Sequence, residues 1–409
     1  MTATAFKAPT GLREPASDEG GSRVSGGSGA EPLTGPEGAL LENTANNFSP
    51  DPLFSASDYR KRRYEARAFL WHESTLDRVR GCGHHPVNPA GYVAVRLAGG
   101  MAGFAGLPSC GSVWADPVCN AKIMARRAVE IGAAVEAWMA TGGRVAFVTF
   151  TQRHRKGQKL RKLWDALQGG WHRVTGGKGW TLDRESLGLV GWLRVVEINW
   201  GSNGWHIHIH ALLFIGAGVT DEQLQTAHGR MFARWSAGLE AGGLARPLMS
   251  GQDCRVLTGA ADEDLSRYFT KAVHKGERIG LEFTRSQSKR VRVALGTAPV
   301  WALLDDARVG DLDALALWRE YEQASKGRRQ LTWSRGLREL LGLRAEKSDE
   351  EIAEEELGTC LDDLVWITGW DRVRELGLAP EILRVTEQGG MAALVELLDA
   401  SAIEYVRVS

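Results

Sequence analysis

The stretch Gly204-Trp205-His206-Ile207-His208-Ile209-His210-Ala211-Leu212-Leu213-Phe214 carries the strongest structural signal in this chain. Its alternation of histidine with apolar residues predicts a β-strand, because successive side chains of a strand point to opposite faces. The three histidines would then share one face, and the apolar residues between them would pack into the core. Three imidazoles on one strand face favour a metal site. The alternative is a solvated polar face on a half-buried strand.

A β-hairpin is predicted around this strand. Residues 189–200 form the partner strand, and Gly201-Ser202-Asn203-Gly204 is a typical hairpin turn. If the turn is centred on Ser202-Asn203, Glu197 stands opposite His208 with its Cβ roughly 5 Å away. Imidazoles with a carboxylate leave coordination positions open for water and phosphate oxygens. We therefore expect Mg²⁺ or Mn²⁺ at a site whose ligands come from Glu197, His206, His208 and His210.

The order of the other elements predicts the fold class. Strands are expected at 144–151, 189–200, 205–215 and 254–257, and helices at 156–171, 220–240 and 262–275. The order strand–helix–strand–strand–helix–strand is that of a split βαβ arrangement. The sequence therefore predicts an α+β fold with a central antiparallel sheet flanked by helices.

Composition divides the chain into four parts. Residues 1–55 are rich in Gly, Ser and Pro and read as a disordered arm, and 56–140 form a Cys/His-containing subdomain that ends in a helix. Residues 141–345 form the main domain, with 31 Lys/Arg against 20 Asp/Glu, which fits a polyanion partner. Residues 346–409, with 5 against 16, read as an acidic helical region, either a solvated face or a protein contact.

The location of the protein follows from what the sequence lacks. Five cysteines in 409 residues are too few for a disulfide scaffold, and no apolar run approaches the roughly 18 residues of a membrane span. The first residues contain no apolar signal segment. We expect a cytoplasmic protein with no membrane partner.

A second constellation occurs at residues 264–275. On a helix, Asp264, Tyr268, Lys271 and Lys275 form one polar stripe. Lysines favour the phenolate form of Tyr268 and hold a phosphodiester, while Asp264 could take a proton from a later nucleophile. The alternative is an amphipathic helix with a partly buried tyrosine and solvated lysines.

Together the two constellations resemble the HUH endonuclease superfamily, and most closely the rolling-circle plasmid replication initiators of actinobacterial type. The His-hydrophobic-His motif matches His208-Ile209-His210, and the tyrosine motif matches Tyr268-Phe269-Thr270-Lys271. Phe147-Val148-Thr149-Phe150-Thr151 resembles the first motif of the family, and Arg329-Gln330-Leu331-Thr332-Trp333-Ser334-Arg335-Gly336 resembles a downstream block. The resemblance covers roughly residues 80–343, without the N-terminal arm and the acidic C-terminal region.

The resemblance implies a reaction in which Tyr268 attacks a metal-polarised phosphate, forming a 5′-phosphotyrosine and a free 3′-OH primer. Lys271 would neutralise charge on the phosphate. In related single-tyrosine initiators a carboxylate one helical turn before the tyrosine activates water, and Asp264 occupies that position in place of the usual Glu. The implied partners are single-stranded or hairpin DNA at a plasmid origin, and host helicase and polymerase.

Two other functions remain open at this point. A relaxase or single-strand transposase would use the same chemistry in conjugation or transposition. A non-catalytic DNA-binding regulator with a structural metal would form no covalent adduct with DNA.

The segment Cys110-Gly111-Ser112-Val113-Trp114-Ala115-Asp116-Pro117-Val118-Cys119 resembles the family block Cys-Gly-x-x-Trp-x-Cys-Pro-x-Cys, which looks like half of a zinc site. Here Asp116 stands where the family has a cysteine, a change that should weaken the site. Cys82 with His84 or His85 could supply the other half. This predicts Zn²⁺ bound among Cys82, His85, Cys110, Asp116 and Cys119, with reduced, partly buried thiols as the alternative.

A basic run follows the first strand of the main domain. Arg155, Lys156, Lys159 and Lys162 are expected to contact DNA, together with Lys275. Trp164 and Trp171 lie nearby and would either stack on unpaired bases or belong to the core.

Overall fold

The computed structural model of the chain describes residues 56–258, 297–355 and 364–408. Up to residue 258 the elements are α1 (Ala56–Glu73), α2 (Asp77–Gly81), β1 (Val93–Ala98), β2 (Met101–Ala105), α3 (Pro117–Ala140), β3 (Arg144–Thr151), α4 (Leu160–Val174), α5 (Gly177–Ser186), β4 (Gly191–Gly201), β5 (Gly204–Ile215), α6 (Asp221–Ala241) and β6 (Asp253–Val256). From residue 297 they are β7 (Thr297–Pro299), α7 (Trp301–Arg308), α8 (Leu312–Ser325), β8 (Leu331–Trp333), α9 (Leu337–Leu340), α10 (Asp349–Glu354), β9 (Leu364–Ile367), α11 (Trp370–Glu375), α12 (Ala379–Ala400) and β10 (Tyr405–Val408). The arm expected at 1–55 lies outside the described residues.

The larger sheet contains the histidine strand. Its strand order is β6-β3-β5-β4-β7, with β8 also paired to β4, and every pairing is antiparallel. The predicted α+β class with an antiparallel sheet flanked by helices is confirmed. β3 has the predicted bounds, whereas β7 and β8 were not predicted, because three residues are too few to show alternation.

Helices α4 and α6 cover the face of this sheet opposite the histidines. Phe150 of β3 packs on that side against Trp171 of α4 and Trp235 of α6, with ring centroids 6.1 and 5.4 Å apart. The two helices cross closely at glycines, since a Cβ on Gly238 would lie 2.6 Å from Gly170 Cα. No helix in the described ranges is long and apolar enough to span a bilayer.

A second sheet joins distant parts of the chain. Its order is β10-β9-β1-β2, and Val93 of β1 pairs with Ile367 of β9. β1 and β2 form a hairpin through Gly99 and Gly100, both of which have positive φ, as a tight turn requires. The expectation that residues 346–409 form a helical region is wrong at Leu364–Ile367, which is a strand.

The second sheet has its own hydrophobic cluster with α11 and α12. Ile382 and Leu394 of α12 are fully buried against it. Glu387 of α12 accepts hydrogen bonds from Arg60 of α1 at 2.8 and 2.9 Å and from the backbone N–H of Ala102 at 3.1 Å. Segments 56–140 and 346–409 therefore share a sheet and a core, and the C-terminal region is not purely helical.

Candidate active site

The β4–β5 hairpin places three candidate ligands on one face of the larger sheet. Glu197 pairs with His208, as the turn at Ser202-Asn203 predicts, and this part of the prediction is confirmed. The alternation of the strand puts His210 on the same face. Gly204 closes the turn with a φ of 89°, a conformation that side chains with a Cβ disfavour.

The donor atoms of these three side chains converge. His208 Nε2 lies 2.8 Å from His210 Nε2, and Glu197 Oε2 lies 3.2 Å from each of them. Adjacent paired strands hold all three, so the spacing is set by the sheet. Within the described ranges, this is one of two groups of acidic, cysteine or histidine side chains close enough to share a metal ion.

Two further residues orient the ligands. Thr149 Oγ1 lies 3.0 Å from His210 Nδ1, and Asn199 Nδ2 donates to Glu197 Oε1 at 3.0 Å. When His210 Nδ1–H donates to the hydroxyl, its Nε2 presents a lone pair to a metal. Neither residue was predicted to act here, although Thr149 stood in the first family motif and Asn199 lies two residues after Glu197.

Burial and neighbouring groups set the charge of the cluster. Burial by itself would raise the pKa of Glu197, but the imidazoles of His208 and His210 hold that pKa well below its usual range. Burial lowers the pKa of His210 to about 4, against the opposing effect of Glu197. At neutral pH the carboxylate is ionised and the His210 imidazole is neutral, which are the forms that bind a metal ion.

The third strand histidine extends the row outward. The His206 ring lies 4.9 Å from that of His208, and His154, in the loop after β3, lies 5.0 Å from His206. Burial, and next the proximity of His208, lower the pKa of His206 to about 4. The structure does not bring His206 into the three-atom cluster. His154 was not predicted as a site residue, and its only sequence signal is its place beside basic residues.

Four predicted site residues lie outside the described residues, namely Asp264, Tyr268, Lys271 and Lys275. The described chain before them ends just after β6, where Asp253 pairs with Thr149. It resumes at β7, where Pro299 pairs with Asn199. The described residues on either side of 259–296 therefore lie on opposite sides of β5 and β4, the strands that carry the histidines and Glu197.

Basic side chains line the loop and helix that follow β3. Arg155 and Lys156 are exposed, and their backbone packs on the hairpin turn, where a Cβ on Gly204 would lie 3.3 Å from Lys156 Cα. Lys162 is exposed on α4, and exposed Lys159 forms an ion pair of 3.0 Å with an acidic residue of α8. All four predicted side chains are thus open to solvent.

The tryptophans beside the basic run belong to the core. Trp164 is fully buried and packs edge-on against Trp114, with ring centroids 5.1 Å apart. Trp171 is buried against Trp192 at 5.0 Å. The hypothesis that they stack on unpaired bases is wrong, because neither ring presents a face to solvent.

The second metal-competent group lies nearer the N-terminus. Cys82, Cys110, Asp116 and Cys119 are buried, with ligand atoms within 4.8 Å of one another. His85 does not join them. Its side chain is 60% exposed, and its Nδ1 lies 3.6 Å from a carboxylate of α11. The structure thus corrects the predicted set, because the loop after Cys82 directs the histidine toward the C-terminal region.

Comparisons with known proteins identify the family of this chain. The family model for replication proteins matches residues 109–228, which contain Glu197, His208 and His210. The protein rep of Streptomyces lividans is 31% identical over 371 residues, covering 74% of this chain and 80% of that protein. A neomycin resistance protein of Streptomyces cyanogenus is 36% identical over 159 residues, covering 33% of this chain and 36% of that protein. No solved structure matches the chain. The chain therefore belongs to the Rep family of replication proteins, the plasmid replication initiators that its histidine and tyrosine motifs resemble.

Proposed function

We propose that this protein initiates rolling-circle replication by nicking one DNA strand at a plasmid origin in a metal-dependent reaction. The observation that carries the proposal is the convergence of Glu197 Oε2 with the Nε2 atoms of His208 and His210. Membership of the Rep family supplies the replication role. The convergent donors supply a place for chemistry on a phosphodiester.

The three donor atoms have the spacing that a hard divalent cation needs. Adjacent ligands of an octahedral ion lie about 3.0 Å apart when each is about 2.1 Å from the ion. The separations here are 2.8, 3.2 and 3.2 Å. Glu197, His208 and His210 would hold the ion, with room left for oxygen ligands from water and phosphate. Mg²⁺ or Mn²⁺ bound there would polarise the scissile phosphate as a Lewis acid.

Tyr268 is the proposed nucleophile. Its phenol loses a proton and its oxygen bonds to phosphorus, while the 3′ oxygen leaves and gains a proton. The products are a 5′-phosphotyrosine on the protein and a strand with a free 3′-OH that primes a polymerase. Lys271, three residues later in sequence, contributes positive charge where the phosphate oxygens become more negative.

The chain length between β6 and Tyr268 permits this arrangement. Tyr268 follows Thr258 by ten residues, a distance of about 15 Å if they are helical and about 33 Å if they are extended. Adjacent strands lie about 4.8 Å apart, and only β3 separates β6 from the histidine strand. Asp253 lies about 10 Å from His210 across the sheet, and Thr258 lies five residues, or about 16 Å, farther along the chain. About 19 Å therefore separate Thr258 from His210, a distance that an extended segment of ten residues spans.

The basic run after β3 is the proposed contact with the DNA backbone. Arg155 and Lys156 are exposed beside the turn of the histidine hairpin, and Lys159 and Lys162 continue the run along the chain. Groups placed in this way bind phosphates irrespective of base sequence, and binding weakens as salt rises. The proposed substrate is single-stranded or hairpin DNA at the origin.

A covalent-adduct assay tests the proposal. Labelled oligonucleotides that tile the DNA of a plasmid carrying this gene are incubated with protein and Mn²⁺, then run on a denaturing gel. Wild-type protein should retain one oligonucleotide covalently. Tyr268→Phe should lose nicking and attachment but keep DNA binding, because only the phenolic oxygen is removed. Tyr92→Phe is the matched control and should form the adduct, since the Tyr92 ring stacks on Trp366 at 4.3 Å, in the second sheet.

Two outcomes would contradict the proposal. A normal adduct from Tyr268→Phe would place the nucleophile elsewhere. Wild-type protein that binds the tiled DNA yet forms no adduct with Mn²⁺ would favour the non-catalytic regulator.

A further inference from the structure

We propose that Cys82, Cys110, Cys119 and Asp116 bind one structural zinc ion that fastens the base of the β1–β2 hairpin to the first turn of α3. Cys82 precedes the hairpin and Cys110 follows it, while Asp116 and Cys119 belong to the N-terminal end of α3. All four residues are between 0 and 4% exposed. This group shares no residue with the histidine cluster, and the proposed nicking reaction does not use it.

The spacing of the sulfur atoms fits metal ligands better than a disulfide. Cys119 Sγ lies 3.5 Å from Cys82 Sγ and 3.6 Å from Cys110 Sγ. A disulfide would need a separation of about 2.05 Å. Two thiolates, each about 2.3 Å from a tetrahedral zinc ion, lie about 3.8 Å apart. Small movements of the side chains would therefore complete the tetrahedron.

Backbone N–H groups point at two of the sulfurs. The N–H of Cys110 donates to Cys82 Sγ at 3.3 Å, and the N–H of Ser112 donates to Cys110 Sγ at 3.4 Å. Such donors favour the thiolate over the thiol, and the thiolate is the form that binds metal. Cys82 and Cys110 are each followed by a glycine of positive φ, Gly83 at 64° and Gly111 at 59°, which turns the backbone around the sulfur.

Asp116 has one oxygen committed to the helix and one left for a metal ion. Its Oδ1 accepts from the N–H groups of Val118 and Cys119 at 2.8 and 2.9 Å and so caps α3. Its Oδ2 is buried without a hydrogen-bond partner and lies 3.3 Å from Arg67 Nε. The buried guanidinium offsets part of the negative charge that three thiolates and a carboxylate bring together.

The position of the site predicts what the zinc ion does. The chain between Cys82 and Cys110 contains the β1–β2 hairpin, which pairs with strand β9 near the C-terminus. A metal ion that binds both ends of this segment and the start of α3 closes the loop in the folded state only, so its binding free energy stabilises the fold. Loss of zinc should therefore loosen the second sheet before the larger one.

Metal analysis of the whole protein tests the proposal directly. Protein purified with reductant and without chelator should contain about one tightly bound zinc ion per chain by mass spectrometry of the elements. A mercurial that attacks thiolates should release this zinc, which separates it from any zinc at the histidines. Replacement by Co²⁺ should give thiolate-to-cobalt charge-transfer absorption. His208→Ala should retain both the zinc and the cobalt signal.

Variants of the ligands sharpen the assignment. Cys119→Ser should lose the zinc and lower the melting temperature. Asp116→Asn keeps an oxygen to cap α3 but removes the carboxylate, so zinc should bind at least about tenfold more weakly. Asp116→Cys should restore the ion with a stronger charge-transfer band. His85→Ala is the matched control and should keep the wild-type zinc content.

Clear results would overturn the proposal. Wild-type protein that is folded and reduced, yet contains no zinc and takes up no Co²⁺, would refute it even if every variant failed to fold. A disulfide between Cys82 and Cys119 that persists in reductant would also refute it. Equal loss of zinc from His85→Ala and Cys119→Ser would show that the ligand set is wrong.

Discussion

The substitution Thr149→Val tests whether the hydroxyl beside His210 holds that imidazole in the orientation and tautomer that bind a metal ion. Thr149 Oγ1 lies 3.0 Å from His210 Nδ1, and the pairing of β3 with β5 sets the two residues opposite each other. Valine keeps the β-branched shape and the strand preference of threonine. It removes the hydrogen-bond partner of Nδ1, so the tautomer with a lone pair at Nε2 loses its advantage.

Two magnitudes separate an orienting role from a structural one. Loss of one neutral hydrogen bond lowers the free energy of unfolding by about 1 kcal/mol. Loss of the group that orients a ligating histidine lowers metal affinity by roughly 10- to 100-fold, or about 1.4 to 2.7 kcal/mol. We therefore expect Thr149→Val to weaken Mn²⁺ binding more than it weakens the fold.

Calorimetric titration with Mn²⁺ and urea unfolding without metal measure the two effects separately. Thr149→Ser should restore most of the affinity, because the hydroxyl returns. Thr151→Val is the matched control, since its hydroxyl donates to the backbone oxygen of Gly251 at 2.9 Å, and it should alter stability alone. Wild-type Mn²⁺ affinity in Thr149→Val would refute the reasoning about the tautomer.

Three further predictions concern the histidines, termination and pH. His208→Ala and His210→Ala should each lower both metal affinity and oligonucleotide cleavage. If excess Mn²⁺ did not raise the cleavage activity of a partly active variant, a ligand role for that histidine would be contradicted. Asp264→Ala should cleave in a single turnover but accumulate covalent adduct, and wild-type rates of both cleavage and adduct release would assign termination to another residue. Burial, and then the guanidinium of Arg374, lower the pKa of His84 in the folded chain from 6.5 to about 4. As the pH falls, the unfolded chain therefore binds a proton at His84 before the folded chain does. The contribution of His84 to the free energy of unfolding is full above about pH 6.5 and is lost as the pH falls toward about 4. His84→Gln should flatten that part of the pH dependence of urea unfolding, and an unchanged slope would remove His84 as its source.

The histidine hairpin could be predicted from the sequence because its determinants are local. Alternation over residues 205–215 identifies the strand, and the turn at Ser202-Asn203 sets the register that pairs Glu197 with His208. β3 followed from the same alternation. The orienting contact of Thr149 needed the pairing of β3 with β5, which neither strand specifies alone.

The second sheet could not be predicted, because its central pairing joins Val93 to Ile367. Four apolar residues in β9 are too few to distinguish a strand from a helix. The Gly99-Gly100 pair is typical of a hairpin turn, but it does not indicate which other strand the hairpin pairs with. Likewise, His85 is close to Cys82 in sequence, but its side chain lies beside Asp371 and not among the sulfurs, which the sequence does not indicate.

Because β1 pairs with β9, one edge of β1 is unpaired while the rest of the chain is being synthesised. A ribosome completes β1 long before β9, and at about 5 to 20 residues per second the delay is on the order of tens of seconds. Throughout that time the edge of β1 offers unpaired N–H and C=O groups, and Val93 and Val95 lack their apolar cover. A chain that ends early, before Leu364, keeps this edge permanently. Premature termination should therefore yield aggregation-prone fragments. Chaperones that bind the exposed edge of β1 during synthesis should raise the yield of folded protein.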